Sequence, residues 1–236
     1  MRISRDITLK IHYILDQLLP PIIRDNRFFS KVLFRLLFGN KKDIFMNFKN
    51  KVFYMTEEEF IDTYKQTSDV HIQRDTDLNV ASEKMVLESI VGDNILEVGC
   101  GRGYLSNKLK KNGKVTATDI IISEELRSKY EEINFVEANI ENLPFDDDSY
   151  DTVVCTHTLE HVQNISEAII ELRRVTKNRL IIVVPQQRPY KYTFDLHVHF
   201  FPYTHSLLSI IGNKSKEVIC KEAQGDLFYY ENKQEF

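Results

Sequence analysis

Two carboxylates in this chain stand at the ends of apolar runs, where a ligand could meet them. Glu97 lies in Asn94-Ile95-Leu96-Glu97-Val98, directly ahead of Gly99-Cys100-Gly101-Arg102-Gly103, and Asp119 closes Lys114-Val115-Thr116-Ala117-Thr118. An apolar run, a glycine turn and then a helical pattern through Leu105 and Leu109 predict a strand–turn–helix unit, which takes ligand at the carboxyl end of its strand. Gly99, Gly101 and Gly103 free the backbone for positive φ and let a ligand approach with no Cβ in the way. A carboxylate ending the second strand is placed to accept hydrogen bonds from ribose hydroxyls, and that role falls to Asp119. The plainer reading of Asp119, a cap on the next helix, is weakened because Ser123 stands in a better place for it.

A second cluster follows Asp151-Thr152-Val153-Val154-Cys155-Thr156: His157, Glu160 and His161, the last two expected to open the next helix. Further on, Pro185 to Tyr203 interleaves Arg188, Lys191, His197 and His199 with several tyrosines, too polar a mixture for a core. Three chemistries compete. An imidazole, titrating near pH ~6.5, is suited to take a proton from an acceptor hydroxyl as a general base. His157, Glu160 and His161 also make a sensible set of ligands for a divalent ion, although Mg²⁺ prefers oxygen donors. In the scaffold reading, Glu160 caps and His161 packs. The metal-free base is the preferred reading, with His161 or His199 ahead of His157, which falls closest to the glycine turn.

The elements that must carry these residues follow from periodicity. Strands are expected at 94–99, 114–119, 133–137, 151–155, 179–184, 217–222 and 226–231. Helices are expected near 80–91, 103–112, 123–130, 164–176 and 204–211. Strands separated by helices demand parallel pairing, and the last two, with no helix between them, an antiparallel hairpin. Upstream, Ile3–Leu19 shows a helical apolar stripe that Pro20-Pro21 must stop. In Phe28–Phe38, Phe29, Val32, Leu33, Leu36 and Leu37 share a face with Lys31 and Arg35 off it, and Gly39-Asn40 is a C-cap signal. Thr56 followed by three glutamates starts another helix that runs to about Gln66.

Ile95 to Ser106 (ILEVGCGRGYLS) resembles motif I of the class I S-adenosylmethionine-dependent methyltransferases. Leu143-Pro144-Phe145, four residues after Asn139, resembles the adenine-binding segment of that family. Ser149-Tyr150-Asp151 with Leu159-Glu160-His161-Val162 resembles the small-molecule subgroup that includes ubiquinone-pathway O-methyltransferases. His199-Phe200-Phe201 resembles a histidine-and-aromatic element found after strand five there, a segment expected to hang over the acceptor. The resemblance covers roughly residues 70 to 236. It implies an α/β fold: a Rossmann-like, doubly wound, mostly parallel seven-stranded sheet with an antiparallel C-terminal hairpin. The methyltransferase domain would span 71–236 behind a helical N-terminal cap over 1–70.

The resemblance also implies the cofactor, S-adenosylmethionine, its product, S-adenosylhomocysteine, and their contacts. Glu97, Gly99, Cys100 and Gly101 would supply the turn, and Asp119 with Ile120 the ribose contact. Asn139 and Ile140 would meet the adenine, and His157 the methionine end. Arg74, ahead of motif I, would fork onto the cofactor carboxylate, unless it pairs with Asp75 or Asp77 on the surface. Asn139 stands where the family has aspartate; its amide oxygen can accept the same hydrogen bond without the charge. A nicotinamide-dependent oxidoreductase would instead carry Gly-x-Gly-x-x-Gly at this turn. A non-catalytic cofactor-binding subunit is the other alternative, and the histidine-rich rim argues against it.

Composition bounds the rest. The chain has 236 residues, 42% hydrophobic and 28% charged, which suits a soluble domain with a real core. Cys100, Cys155 and Cys220 are odd in number and far apart, which fits a reducing cytoplasm and gives neither a disulfide framework nor a thiol zinc motif. There is no signal-peptide pattern and no apolar run long enough for a membrane span. Residues 1 to 55 hold eleven Lys/Arg against four Asp/Glu, a charge of +7; the whole chain carries −4, so the remainder carries −11. An acidic body argues against a nucleic-acid partner. The basic segment is expected to pack its apolar face onto the body, with peripheral contact to a membrane or a partner as the alternative. The expected acceptor is a small polar molecule bearing phosphate, carboxylate or sugar hydroxyls. The Lys-, Ile- and Asn-rich composition suggests an AT-rich bacterial genome and, by association, a surface-glycan precursor.

Overall fold

The structure, a computed structural model, describes residues 18–67, 75–212 and 215–233. The chain divides into two compact units, Met1–Arg74 with Gln187–Phe200, and Asp75–Gln186 with Phe201–Phe236. The helix expected over Ile3–Leu19, apart from its last two residues, and the contact assigned to Arg74 lie outside the described residues.

In the first unit α1 (Pro21–Arg24) begins with a proline, whose missing N–H costs nothing in a first turn. Asn26 caps α2 (Arg27–Phe38), its side chain accepting from the N–H groups of Phe28 and Phe29, and Gly39 at φ 55 ends it as the sequence signals. A 3₁₀ turn leads into α3 (Lys42–Lys51), a helix that periodicity alone did not single out. At the start of α4 (Glu57–Thr67), the Thr56 hydroxyl accepts from the Glu59 N–H, and the Glu59 carboxylate accepts from the Thr56 N–H.

Phe34, Phe45, Phe48 and Val52 form the core of this unit together with Tyr192 and Leu196 from the segment after the fifth strand. Phe38 stacks on Phe45 at 3.8 Å between ring centroids, and Phe34 meets Phe194 edge-on at 4.7 Å. Polar ties join the same segment to the helices. The Arg24 guanidinium donates to the Pro189 carbonyl at 3.0 Å, and the Lys191 N–H donates to Asp25 at 3.0 Å. Lys49 Nζ lies 4.1 Å from the ring centroids of both Tyr190 and Phe200 and donates to the Tyr190 carbonyl; burial pushes its pKa down to about 8. Gln187–Phe200 is therefore built into the helical unit, whereas a domain running over 71–236 would leave it with the sheet.

The face expected to be the packing stripe of α2 is corrected. Phe34 and Ser30 are buried and Leu33 packs partly against the same core, while Phe28, Phe29, Val32, Leu36 and Leu37 are exposed. Apolar residues surround this helix on nearly every side except Arg27, Lys31 and Arg35, so periodicity could not say which side its neighbours cover.

The second unit opens with α5 (Val80–Glu88), capped by Asn79. Then follow β1 (Asn94–Val98), α6 (Tyr104–Leu109), β2 (Lys114–Asp119), α7 (Glu124–Lys129), β3 (Asn134–Glu137) and β4 (Tyr150–Thr156). The unit closes with α8 (Ile165–Val175), β5 (Thr176–Pro185), α9 (Thr204–Ile211), β6 (Val218–Ala223) and β7 (Asp226–Asn232). The seven strands lie in the order β3-β2-β1-β4-β5-β7-β6, all parallel except β7, which runs antiparallel to both of its neighbours.

Alternation along the strands fills two cores. Leu96, Val98, Leu180, Ile182 and Val184 meet Ala168, Ile169 and Leu172 of α8 on one face. Ile95, Val115, Ala117, Ile181 and Val183 meet Val86 of α5, Leu105 and Leu109 of α6 and Leu126 of α7 on the other. Helices on both faces make the sheet doubly wound. The register fixes where the turns emerge: Val98 pairs with Thr118 on one side and Cys155 on the other, so the turns after β1, β2 and β4 leave on one rim. Among the described residues no helix is long and apolar enough to cross a membrane.

The two aromatic classes on α2 should respond differently to truncation. Phe34→Ala should destabilise the helical unit by about 3–5 kcal/mol, whereas exposed Phe28→Ala should stay within about 0.5 kcal/mol. Urea unfolding with a probe in that unit measures both, and equal effects would contradict the observed face.

Candidate active site

The rim is built from the turn after β1. Gly99 takes φ 77, and a Cβ there would stand 1.9 Å from Thr158 Oγ1, so the turns after β1 and β4 touch at a point that admits only hydrogen. Gly101 takes φ 50 and faces the opposite condition: a Cβ there would meet nothing within 4 Å. Its N–H donates to Asp119 Oδ2 at 2.8 Å, which ties the glycine turn to the end of β2. Burial pushes the Asp119 carboxyl up, and the N–H groups of Gly101, Ile121 and Ile120 pull it back. Cys100 is buried, and its N–H, like that of Gly99, donates to the Thr118 carbonyl.

Glu97 is almost wholly buried on the α6 side of β1, and Ser106 of α6 donates its hydroxyl to the carboxylate. Burial pushes this carboxyl up to about 8, against the Ser106 hydroxyl. Glu97 thus braces the helix that follows the glycine turn, a partnership nine residues apart that sequence spacing did not reveal. As expected, Ser123 and not Asp119 caps the next helix, accepting from the Leu126 N–H.

Asn139 follows β3, and its side-chain oxygen accepts from the Glu141 N–H at 3.0 Å, which folds the segment into a local turn. The Ile140 side chain is buried in the core, which leaves its backbone as what it can offer a ligand. Ile120 is half-buried beside Asp119.

After β4, His157 takes a left-handed backbone, φ 50, held by its N–H on the Val183 carbonyl at 2.8 Å. Its ring lies between two buried carboxylates, Nδ1 3.5 Å from Glu160 Oε1 and Nε2 3.4 Å from Asp226 Oδ1. Burial alone would lower its pKa; Asp226 and Glu160 outweigh it and push the imidazole up to about 10. Asp226, at the start of β7, is in turn held by Asn79 Nδ2 at 2.8 Å and Ser82 Oγ at 2.7 Å. None of Asp226, Asn79 and Ser82 was expected in the site, because each comes from an element far in sequence from His157.

Glu160 and His161 do not open a helix. They lie in a turn, and α8 begins at Ile165 with Asn164 as its cap, because the Asn164 side chain supplies the acceptor that the Glu167 N–H needs. Glu160 is fully buried and neither of its oxygens has a hydrogen bond, with His161 Nε2 at 4.0 Å. His157 and His161 therefore gather around one carboxylate. His199 belongs to the helical unit, where its ring stands edge-on to Phe53 at 6.2 Å.

Residues 96–184 match a family model described as a methyltransferase domain. A ubiquinone biosynthesis O-methyltransferase of Rickettsia prowazekii is 36% identical over 113 residues, covering 44% of this chain and 44% of the relative. An uncharacterised protein of Methanocaldococcus jannaschii is 41% identical over 92 residues, 38% of this chain and 40% of that one. The chain thus matches less than half the length of these curated relatives. A solved S-adenosylmethionine-dependent methyltransferase of Thermotoga maritima superposes with a TM-score of 0.54 at 18% identity, over 75% of this chain and 98% of its own. One from Aquifex aeolicus gives 0.52 at 18%, over 71% and 97%. At such identities the likeness shows the fold.

The raised carboxyl of Glu97 fixes a sign for pH dependence. Its contribution to stability is fully present below the ordinary value of 4.5 and is lost as pH rises through about 8. The unfolding free energy of the native chain minus that of Glu97→Gln should therefore fall from pH 4.5 to pH 8. A difference that stays flat or rises across that window in urea titrations would contradict the buried, raised carboxyl.

Proposed function

We propose that this chain, whose residues 96–184 match a methyltransferase-domain model, is a class I S-adenosylmethionine-dependent methyltransferase that moves the methyl group of that cofactor to an oxygen of a small polar acceptor. The observation that carries the reading is the joint between Asp119 and Gly101, where a carboxylate holds the glycine turn and open space stands beside Gly101. That geometry fits a ribose: hydroxyls donate to Asp119 while the backbone of Gly99 and Gly101 leaves room for the ligand. Asn139 accepts from the adenine amine, and Glu97 keeps α6 and the turn in register through Ser106. When bound, the cofactor supplies a methyl group on a positively charged sulfur, ready for attack.

The protein's own task is then alignment and one proton. Fixing the acceptor oxygen against the methyl converts an encounter into an internal step, an effect that reaches about 7–11 kcal/mol in well-aligned systems. His161 takes the acceptor's proton, and the Glu160 carboxylate 4.0 Å away favours the imidazolium that results. His157 is poorly suited to that role at neutral pH, because Asp226 and Glu160 hold its proton; it fixes the two carboxylates instead. His199 is the alternative base. The likeness to O-methyltransferases supports oxygen as the accepting atom, and a sugar or phosphate-type group of a bacterial surface-glycan precursor is the proposed class of acceptor.

A second reading rests on Glu160. A buried carboxylate without hydrogen bonds, with His157 Nδ1 at 3.5 Å and His161 Nε2 at 4.0 Å from one of its oxygens, is a chemically sensible ligand for a divalent ion. His157, Glu160 and His161 would hold it, with Asp226 orienting His157 from behind, and the ion would polarise the acceptor oxygen.

Methyl-labelled S-adenosylmethionine, offered with a panel of sugars, phosphosugars and phenols, tests both readings. The expected result is label on oxygen, with His161→Ala lowering turnover by about 10²–10⁴-fold while cofactor affinity barely moves. Activity abolished by a chelator and restored by a divalent ion would favour the metal reading. Full activity in the Ala variants of His157, His161 and His199, with no metal requirement, would leave alignment as the whole mechanism.

A further inference from the structure

Ordinary soluble helices do not expose the surface that α2 exposes. Phe28, Val32 and Leu36 recur every four residues along one stripe and are 77%, 47% and 79% exposed. Arg27, Lys31 and Arg35 form the adjacent stripe at the same spacing, all exposed and none in an ion pair among the described residues. The side that packs, Ser30 and Phe34, lies opposite. Beside α2, Ile22 and Ile23 of α1 and the preceding Leu18 are also exposed, at 83%, 43% and 63%. No acidic residue occurs in α2.

We infer that this face of α1 and α2 is a docking surface for an anionic phospholipid bilayer. An apolar stripe bordered by cations lets phenylalanine and leucine tips enter the acyl boundary while Arg and Lys reach back to phosphate groups. The charge of the whole N-terminal stretch points the same way: residues 1 to 55 carry +7 in a chain of −4, so an anionic surface attracts this segment and repels the remainder. A second copy of the chain is a poorer occupant, since a twofold contact would set the Arg27-Lys31-Arg35 stripe close to its own image.

The docking face is also tied to Gln187–Phe200 within the same unit, through Arg24 to the Pro189 carbonyl, Asp25 to the Lys191 N–H, and Phe34 against Phe194. Seating of α1 and α2 on a bilayer therefore bears directly on the segment after β5. The inference stands independently of the methyl-transfer reading, since it rests on no residue of the sheet rim.

Co-sedimentation of the full chain with vesicles tests it. Vesicles of phosphatidylcholine with phosphatidylglycerol should carry the protein down, and pure phosphatidylcholine should carry far less. Binding should weaken roughly fivefold for each cation removed from Arg27, Lys31 and Arg35, and it should weaken further as salt shortens the reach of the charges, from about 10 Å at 0.1 M to 3 Å at 1 M. Phe28→Glu with Leu36→Glu should abolish it, while the helical circular dichroism and urea midpoint of the same variant stay unchanged and certify its fold. No binding to anionic vesicles at low salt, or binding that the Phe28→Glu, Leu36→Glu variant retains, overturns the inference. So does self-association that this variant abolishes while vesicles leave the native chain in solution, because the face then belongs to a second copy.

Discussion

The Asp119 carboxylate accepts the Gly101 N–H at 2.8 Å, and the carboxyl rim of the sheet is arranged around that bond. It fixes the end of β2 against the turn after β1, where Gly99 has already been pressed to the Thr158 side chain of the turn after β4. Three strand ends thereby share one edge, with a backbone that only glycine adopts cheaply. The arrangement concentrates acid: Glu97, Asp119, Glu160 and Asp226 all come from this rim and the strands that feed it. Burial raises the carboxyls of Glu97 and Asp119, so each favours a donor or a positive charge nearby. A ligand rich in hydroxyl donors and carrying a cation suits such an edge better than a polyanion does.

Much of this was legible in the sequence because the relevant signals are local. The strands alternate or run apolar over short stretches, and glycines and acids mark their ends, so the strands expected from periodicity lie within about three residues of those observed. The places of Gly101 and Asp119 at the ends of neighbouring strands follow from residue type and position, whereas the bond between them does not. What stayed hidden depends on contacts between distant segments. Asp226 reaches His157 across the antiparallel pairing of β5 and β7, and Ser106 reaches Glu97 from the helix after the turn. Nothing in the spacing of Leu159-Glu160-His161-Val162 distinguishes a turn from a helix start until Asn164 is seen to supply the cap.

The helical unit shows the same limit more sharply. An amphipathic pattern reports that a helix has an apolar side, and α2 has apolar residues on most of its circumference. Which part is covered is decided by Phe45, Phe48 and the aromatic residues of Gln187–Phe200 packed around Phe34. The segment after β5 was legible as distinctive, being crowded with histidine, tyrosine and basic side chains. Its membership in the helical unit was not, since Lys49 between Tyr190 and Phe200 is a contact made across about 140 residues of chain.

The central claim is that the glycine turn and Asp119 together form a seat for S-adenosylmethionine. Isothermal titration of the native chain and of Asp119→Ala, with S-adenosylmethionine and with NAD in parallel, tests it most directly. The account predicts affinity for S-adenosylmethionine in the range of about 1–100 μM, weakened in Asp119→Ala by about 1.5–3 kcal/mol, as befits hydrogen bonds to a charged group. Preferential binding of NAD, or an affinity for S-adenosylmethionine that Asp119→Ala leaves untouched, would contradict it.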